Sequence, residues 1–177
     1  MLGQLRSIVQ EVNSARDLQS ALDIIVTRVR SALNTQVCSV YLLDSDINSH
    51  VLMASQGLKA EAVGRVSLQS GEGLVGLVAK HAEPINLSDA SKHPSYFYLQ
   101  DTGEEEFNSF LGVPIIHHRA VLGVLVIQQR ESRRFDEGEE AFLITLSAQL
   151  SGVIAHAEAT GAIQGLSPSG QKTEDTV

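Results

Sequence analysis

The sequence carries hydroxyl, imidazole and carboxylate groups, but no arrangement of them is specific for catalysis. No serine stands in the G-x-S-x-G sequence of a nucleophile elbow, and no histidine stands in a recognisable triad context. Cys38 is the only cysteine, and the apolar run around it predicts an interior strand, where a thiol is usually inert packing. A redox enzyme that works through Cys38 is one alternative, although a sulfenic acid needs a second thiol for its resolution. We therefore expect no catalytic residue.

Asp44, Asp46 and Asn48 occupy the first, third and fifth positions of a calcium-binding loop. The likeness ends there, because Ser49 stands where the bend needs glycine and Ser55 stands where a bidentate glutamate is required. The stretch is predicted to be a hairpin turn, and we expect no metal site.

Gly71, Gly73 and Gly76 match the G-x-G-x-x-G pattern of dinucleotide-binding loops, and a short apolar helix is predicted over 74–81. In a dinucleotide site the glycines follow a buried parallel strand inside a βαβ unit. Here the preceding run is short and half polar, and no βαβ pattern surrounds it. The histidines at 117–118 are better explained as turn residues than as metal ligands, since adjacent strand residues point to opposite faces. We expect no cofactor.

The polar residues that could bind a small molecule come from one strand and one long segment. Ser39 and Tyr41 share a face of the strand predicted over 37–43 and would place hydroxyls on a largely apolar sheet. Residues 57–109 are long enough to fold over that face and close a mostly apolar pocket with a few convergent polar groups. Taken singly, each polar residue is explained slightly better as a core or surface residue, but as a set they define a pocket. The predicted ligand-binding residues are Ser39, Tyr41, Arg65, Asp89, His93, Tyr96 and Tyr98.

Short apolar runs predict the sheet behind this pocket. Residues 37–43 hardly alternate, so both faces of that strand should be covered, and residues 51–56 return as a second strand. The strongest strands are 110–117 and 121–129, and their short connection predicts an antiparallel hairpin. Pro114 cannot donate to a ladder, so its strand should lie at an edge or carry a bulge.

Apolar stripes at spacings of three and four predict helices at both ends of the chain. A first helix is expected over 2–12, and a second helix follows a cap at Ser14 or Asp17. A last helix begins at a capping box formed by Asp136 and Glu139. The stripe residues of the two terminal helices are Leu2, Leu5, Val9 and Val12, and Leu143, Leu146, Leu150, Val153 and Ala157.

Length, charge and cysteine count exclude several classes of function. The 177 residues fit one domain with a sizeable core. A net charge of −8 argues against binding nucleic acid or anionic lipid, because both depend on many Lys and Arg contacts. A single cysteine suits a reducing compartment, and no apolar run approaches the roughly 18 residues of a membrane-spanning helix. We therefore expect a cytoplasmic protein without nucleic-acid or membrane partners.

The stretch 71–98, GEGLVGLVAKHAEPINLSDASKHPSYFY, resembles the GAF domain, a module that senses small molecules. The resemblance continues at residues 110–116, 121–126 and 135–140. A more specific likeness, over about residues 1–165, is to the N-terminal GAF domains of nitrogen-related phosphoenolpyruvate-protein phosphotransferases. It rests jointly on VCSVYL at 37–42, AEPINL at 82–87, KHP at 92–94 and QQRE at 128–131.

This resemblance implies an α+β fold, in which a GAF-like antiparallel β-sheet has the N- and C-terminal helices on one face and a ligand-pocket segment on the other. Residues 1–160 would form the domain, and residues 161–177 would be a disordered tail or interdomain linker. The effector would be an amino acid or 2-oxo acid that reports nitrogen status, such as glutamine or 2-oxoglutarate. It would control phosphotransfer by downstream phosphotransferase domains, which this sequence does not contain, so the chain would be regulatory and not an enzyme.

The stripes of the terminal helices favour a homodimer. Both follow the three-four alternation of a coiled-coil seam, and two such helices on one face of a sheet invite a partner. A two-fold bundle would bury both seams and link the pocket to a downstream domain. The alternatives are that both seams pack within one chain, or that the domain is a structural dimerisation module with a vestigial pocket.

Overall fold

Six strands form one antiparallel sheet, which a computed structural model describes together with its helices over residues 2–96 and 107–160. The strands are β1 (Val37–Asp44), β2 (Ser49–Gln56), β3 (Ser67–Gln69), β4 (Ile85–Leu87), β5 (Ser109–His117) and β6 (Ala120–Gln129). Their order across the sheet is β3-β2-β1-β6-β5-β4, and all neighbouring pairs are antiparallel. The predicted antiparallel sheet and its two hairpins are confirmed.

The central strands are buried on both faces, as their nearly continuous apolar runs predicted. Side chains alternate between two separate apolar clusters, because successive residues of a strand point to opposite faces. Cys38 and Val40 of β1 belong to the cluster beneath the long helices, whereas Tyr41 belongs to the cluster on the other face. The sheet therefore has a helix face and a pocket face.

The helix face is covered by α1 (Leu2–Asn13), α2 (Leu18–Leu33) and α4 (Glu137–Ala159). Asp17 caps α2, since its Oδ1 accepts the amide of Ser20 at 2.7 Å, and Ser14 instead donates to a carbonyl of α1. The predicted capping box precedes α4. The Glu139 amide donates to Asp136 Oδ1 at 2.8 Å, and the Asp136 amide donates to Glu139 Oε1 at 2.9 Å.

The apolar stripes of the terminal helices are not two free seams. Leu146 and Leu150 of α4 are buried on the sheet, so that part of the seam argument is wrong. In α1 the buried residues are Ile8 and Val12, whereas Leu2 is 84% exposed. Leu5, Val9 and Val12 of the predicted stripe do pack on the core, so the stripe holds except at Leu2, and Ile8 joins it because α1 contacts both α2 and α4.

The pocket face is covered by α3 (Gly73–His81) and by the segment that surrounds it. Residues 57–109 were predicted to lie over this face, but they also supply β3 and β4, the two edge strands of the sheet. The covering segment is thus hydrogen-bonded to the sheet at both edges. Tyr98 and the predicted tail at 161–177 lie outside the described residues.

Pro114 lies in the part of β5 that only one neighbouring strand contacts. β4 pairs with β5 at Phe110, Leu111 and Gly112 and goes no further, whereas β6 pairs along the whole of β5. Among residues 2–96 and 107–160, no strand pairs with the outer side of β5 at Pro114 and needs an amide donor there. The edge strand of the sheet is β4, so Pro114 has only a local edge position in β5, and a register shift follows between Ile115 and Ile116.

The last helix has the length and apolar composition of a membrane-spanning segment. By length and composition, Glu137–Ala157 could cross a membrane, and it is the one such helix among the described residues. We expected no segment of that kind. Its buried leucines on the sheet account for a large part of its apolar content, as in a core helix of a globular domain.

Candidate ligand-binding site

Strand β1 separates the only thiol from the pocket. Cys38 is completely buried in the helix-face cluster, and burial raises the pKa of its thiol far above the ordinary value. The neutral thiol is therefore the form at neutral pH, and it faces away from the pocket. Cys38 serves as a packing residue in this fold.

A small cavity lies on the pocket face, between the sheet and its cover. It is lined by Leu68 of β3, Gly73, Leu74 and Val75 of α3, Ala90 and Tyr96 of the cover, Phe110 of β5 and Gln128 of β6. Its volume of about 20 Å³ has room for about one water molecule. The lining is mostly apolar with few polar groups, as is usual for small-molecule sites.

The glycine motif positions α3 against β3. Gly71 and Gly73 adopt φ values of +83° and +66°, which other residues avoid. A Cβ on Gly76 would lie 2.4 Å from the Gln69 carbonyl oxygen, and the Gly71 amide donates to the Gly76 carbonyl at 2.8 Å. These glycines allow the tight approach of turn and helix that brings the start of α3 to the cavity.

Of the predicted binding residues in the sheet, neither lines the described cavity. Tyr41 is buried in the pocket-face cluster, beside the Leu52 and Val124 backbone positions with which it pairs. Ser39 lies on the same face, and its hydroxyl is 2.9 Å from that of Ser55 on β2. Both residues stand on the predicted face, but their side chains are part of the wall behind the site.

The predicted residues of the cover have different placements. Tyr96 lines the cavity, as expected of a binding residue. Arg65 is exposed in the turn before β3 and does not line the cavity. Asp89 and His93 bond within the cover instead: Ser91 donates to Asp89 Oδ1 at 2.7 Å, and the amide of Ser95 donates to His93 Nδ1 at 3.0 Å.

The same local bonds explain the electrostatics of the cover. The Ser91 hydroxyl, and then the charge of Lys92 at 3.5 Å, lower the pKa of the Asp89 carboxyl. Asp89 is therefore an anion that stabilises the turn of the cover. Binding by Asp89 and His93 stays a prediction, and so does binding by the other predicted residues, Ser39, Tyr41, Arg65, Tyr96 and Tyr98.

The described cavity lining contains one polar side chain that was not among the predicted binding residues, Gln128. Gln128 is only 4% exposed, and it lines the cavity from β6. The signal was present, since Gln128 and Gln129 end an otherwise apolar strand, and one of two adjacent residues must point to the pocket face. Only the register of β6 decides which one does.

A second buried polar residue, His50, lies on the pocket face near this site. It pairs with Leu68 across β2 and β3 and is 3% exposed, and neither ring nitrogen has a well-formed hydrogen bond in the described part of the chain. Burial lowers the pKa of the His50 imidazole, although the backbone of Leu68 opposes this effect. His50 is therefore neutral in the folded protein at neutral pH.

Comparison with known proteins gives consistent matches to one domain family. The sequence model of the GAF domain matches residues 17–154. The "Phosphoenolpyruvate-dependent phosphotransferase system" protein of Salmonella typhimurium is 52% identical over 160 residues, which cover 90% of this chain. The chain spans about a fifth, 21%, of that relative's length.

Two solved GAF domains are similar in both sequence and fold. The one from a phosphoenolpyruvate-protein phosphotransferase of Coxiella burnetii is 50% identical, with a TM-score of 0.87 over 91% of this chain and 96% of that one. The one from the corresponding Acinetobacter protein is 52% identical, with a TM-score of 0.82 over 90% and 96% of the two chains. The predicted fold class is confirmed by these matches.

Proposed function

This chain belongs to the GAF domain family, and from that premise we propose that it is the regulatory sensor of a phosphoenolpyruvate-protein phosphotransferase. It binds a small metabolite that reports nitrogen status and performs no chemistry itself. The two solved GAF domains of such phosphotransferases, at about half identity over almost their full length, support the kind of parent protein. Control of phosphotransfer by the rest of that protein is part of the proposal.

The observation that carries the sensor function is the cavity between α3 and the sheet. It lies on the face opposite the long helices, behind a cover that is bonded to both edge strands. A ligand larger than a water molecule enters only when this cover moves outward, since the cavity holds about 20 Å³. Binding is thereby coupled to a change in the covering segment.

The effector belongs to the amino acids and 2-oxo acids, with glutamine and 2-oxoglutarate as the first candidates. Isothermal titration calorimetry with these compounds and their homologues tests this. We expect saturable binding of at least one of them at millimolar concentration or below, together with a raised unfolding temperature, because a ligand of the native state stabilises it. Absence of heat and of any thermal shift across the panel would sink the proposal.

A cavity-filling variant localises the binding. Ala90→Leu places a larger side chain in the cavity, since Ala90 lines it and is buried. We expect the loss of metabolite binding in a folded protein. The matched control is Ala141→Leu on the exposed side of α4, which should bind as the wild type does. Equal binding by both variants would place the effector elsewhere on the molecule.

The alternative of a structural dimerisation module is favoured by one observation, the exposed apolar residues on the terminal helices. Ile144 of α4 is 43% exposed and Leu2 of α1 is 84% exposed. Grooves run along these helices, one lined by Leu5, Val9 and Gln149. Dimerisation is compatible with the sensor function. Calorimetry distinguishes the sensor from a module with a vestigial pocket, because such a module dimerises without binding any metabolite.

A further inference from the structure

The N-terminus of α3 is buried without a cap. The helix has nine residues, from Gly73 to His81, and the residue before it, Glu72, makes no side-chain cap bond. The first intrahelical bond runs from the Gly76 amide to the Glu72 carbonyl at 3.1 Å. The amides of residues 73–75 have no acceptor among the described residues, although all three residues are buried. Buried helix ends normally find a partner for these donors.

The same cavity contains a second group without a partner. Gln128 is 96% buried, and its carboxamide has no hydrogen-bond partner in residues 2–96 and 107–160. A side-chain amide inside a protein normally has a hydrogen-bond partner. The neighbouring Gln129 does have a partner for its side-chain amide, Arg133. With its amide oriented toward Arg133, its oxygen accepts the guanidinium Nε at 2.9 Å on the other side of the strand.

These two features converge, since residues 73–75 and Gln128 line one cavity. Backbone N–H groups and the positive end of the helix dipole favour a negative charge, and the Gln128 amide adds a side-chain donor. Lys80 and His81 at the far end of α3 complement the opposite end of the dipole. The described cavity lining includes no carboxylate that would repel an anion.

We propose that this corner of the pocket is the subsite for a carboxylate group of the effector. One carboxylate oxygen accepts from the amides of residues 73–75, and the other accepts from Gln128 Nε2. Phe110 and Leu68 form the apolar wall against which the carbon chain of the ligand packs. This inference rests on the proposed sensor function and adds the chemical group that the sensor recognises and a side chain that binds it.

A carboxylate requires a smaller opening of the site than a larger anion does. The described cavity holds about 20 Å³, whereas a tetrahedral phosphate needs space on all sides of the central atom. A flat carboxylate can lie between the start of α3 and Gln128 with a smaller outward movement of Tyr96. A neutral ligand amide in place of the carboxylate would lack the negative charge that the start of α3 favours, and we therefore expect it to bind more weakly.

The test uses acetate as a minimal probe and nuclear magnetic resonance of the nitrogen-15-labelled protein. At constant ionic strength, acetate should shift the amide protons of residues 73–75 and the side-chain amide of Gln128 downfield, while acetamide at the same concentration should shift them much less. Gln128→Met keeps the volume and removes the amide, and we expect its acetate affinity to fall about tenfold or more. Gln129→Met, the same change one residue along, should bind acetate as the wild type does.

The outcomes separate this inference from the proposed function. Shifts elsewhere on the protein, no shifts, equal shifts with acetamide, or unchanged affinity in Gln128→Met would each overturn the carboxylate subsite. If glutamine, 2-oxoglutarate and their homologues bind while acetate leaves α3 unaffected, the sensor function stands and the subsite falls. If acetate binds at α3 but no metabolite does, the subsite stands and the nitrogen-status effector is wrong.

Discussion

At the scale of single residues, His50 is a buried imidazole with no well-formed hydrogen bond, and it makes stability depend on pH. Its pKa is lowered in the folded state from an ordinary value of 6.5. The unfolded chain therefore takes up a proton more readily, so the stability from neutral His50 is complete above pH 6.5. It is lost as the pH falls through 6.5 toward the lower folded pKa.

Urea unfolding between pH 5 and pH 8 measures this effect. We expect the free energy of unfolding of the wild type to fall at acidic pH, and His50→Leu to remove part of that fall. His81→Leu is the matched control, since His81 is exposed at the end of α3. Identical pH profiles for wild type and His50→Leu would show that His50 is not the titrating group.

Cys38 gives a second prediction at the residue scale. Its thiol is buried on the helix face with a strongly raised pKa, so a thiol reagent such as Ellman's reagent should not react with the native protein. One equivalent should react after denaturation. Cys38→Ala should cost about 1 kcal/mol of stability and leave metabolite binding unchanged. Rapid reaction in the native state would reopen the redox alternative.

At the scale of elements, Asn86 fastens the covering segment to the start of α4. Its Nδ2 donates to the Phe135 carbonyl at 2.9 Å, and its Oδ1 accepts the Phe135 amide at 3.1 Å. Asn86 lies in β4, directly after α3, and Phe135 directly precedes the capping box of α4. This contact joins the cover of the pocket to the helix that leads toward the end of the chain.

Replacing Asn86 tests how much this fastening contributes. Asn86→Leu leaves a buried amide and a buried carbonyl of Phe135 unpaired, so we expect a loss of about 2–4 kcal/mol in the free energy of unfolding. Asn108→Leu is the matched control, because Asn108 makes one exposed bond to the Arg130 carbonyl and should cost less than about 1 kcal/mol. Equal costs for the two variants would mean that water replaces the Asn86 bonds.

At the scale of the whole molecule, the exposed apolar residues of the terminal helices predict a homodimer through the helix face. Leu146, a residue of the predicted seam, is completely buried within the chain and cannot serve as a contact. Ile144, 43% exposed on the same helix, can. We therefore expect the wild type to sediment as a dimer at micromolar concentration and Ile144→Glu to sediment as a monomer with nearly unchanged stability.

The control for this prediction is another exposed isoleucine. Ile47 lies in the turn between β1 and β2 and is exposed to a similar degree. Ile47→Glu should leave the dimer intact. A monomeric wild type at micromolar concentration, or equal loss of the dimer in both variants, would argue against association through the terminal helices.

The sequence predicted only part of the site. Tyr96 was predicted as a binding residue because an aromatic residue in a long polar loop is a common binding element. In the structure Tyr96 lines the cavity. Asp89 and His93 have partners within their own loop, which no periodic pattern could reveal. Gln128 was missed because Gln128 and Gln129 look alike in the sequence, and only the register of β6 with β5 shows which of the two lies on the pocket face.

The sequence by itself determined the elements and their chemistry. Apolar runs defined the strands, the capping residues Asp17 and Asp136 defined helix starts, and the glycines at 71–76 required a tight turn before α3. These properties are local, because they follow from backbone geometry and from the period of the side chains.

Only the tertiary structure decided which faces meet. It turned Ile8 rather than Leu2 inward, placed Cys38 and Tyr41 on opposite sides of β1, and brought the start of α3 against Gln128. Each of these contacts joins residues far apart in the chain, and each depends on strand register and helix rotation. Those are fixed by the packing of the whole core, which no local pattern encodes.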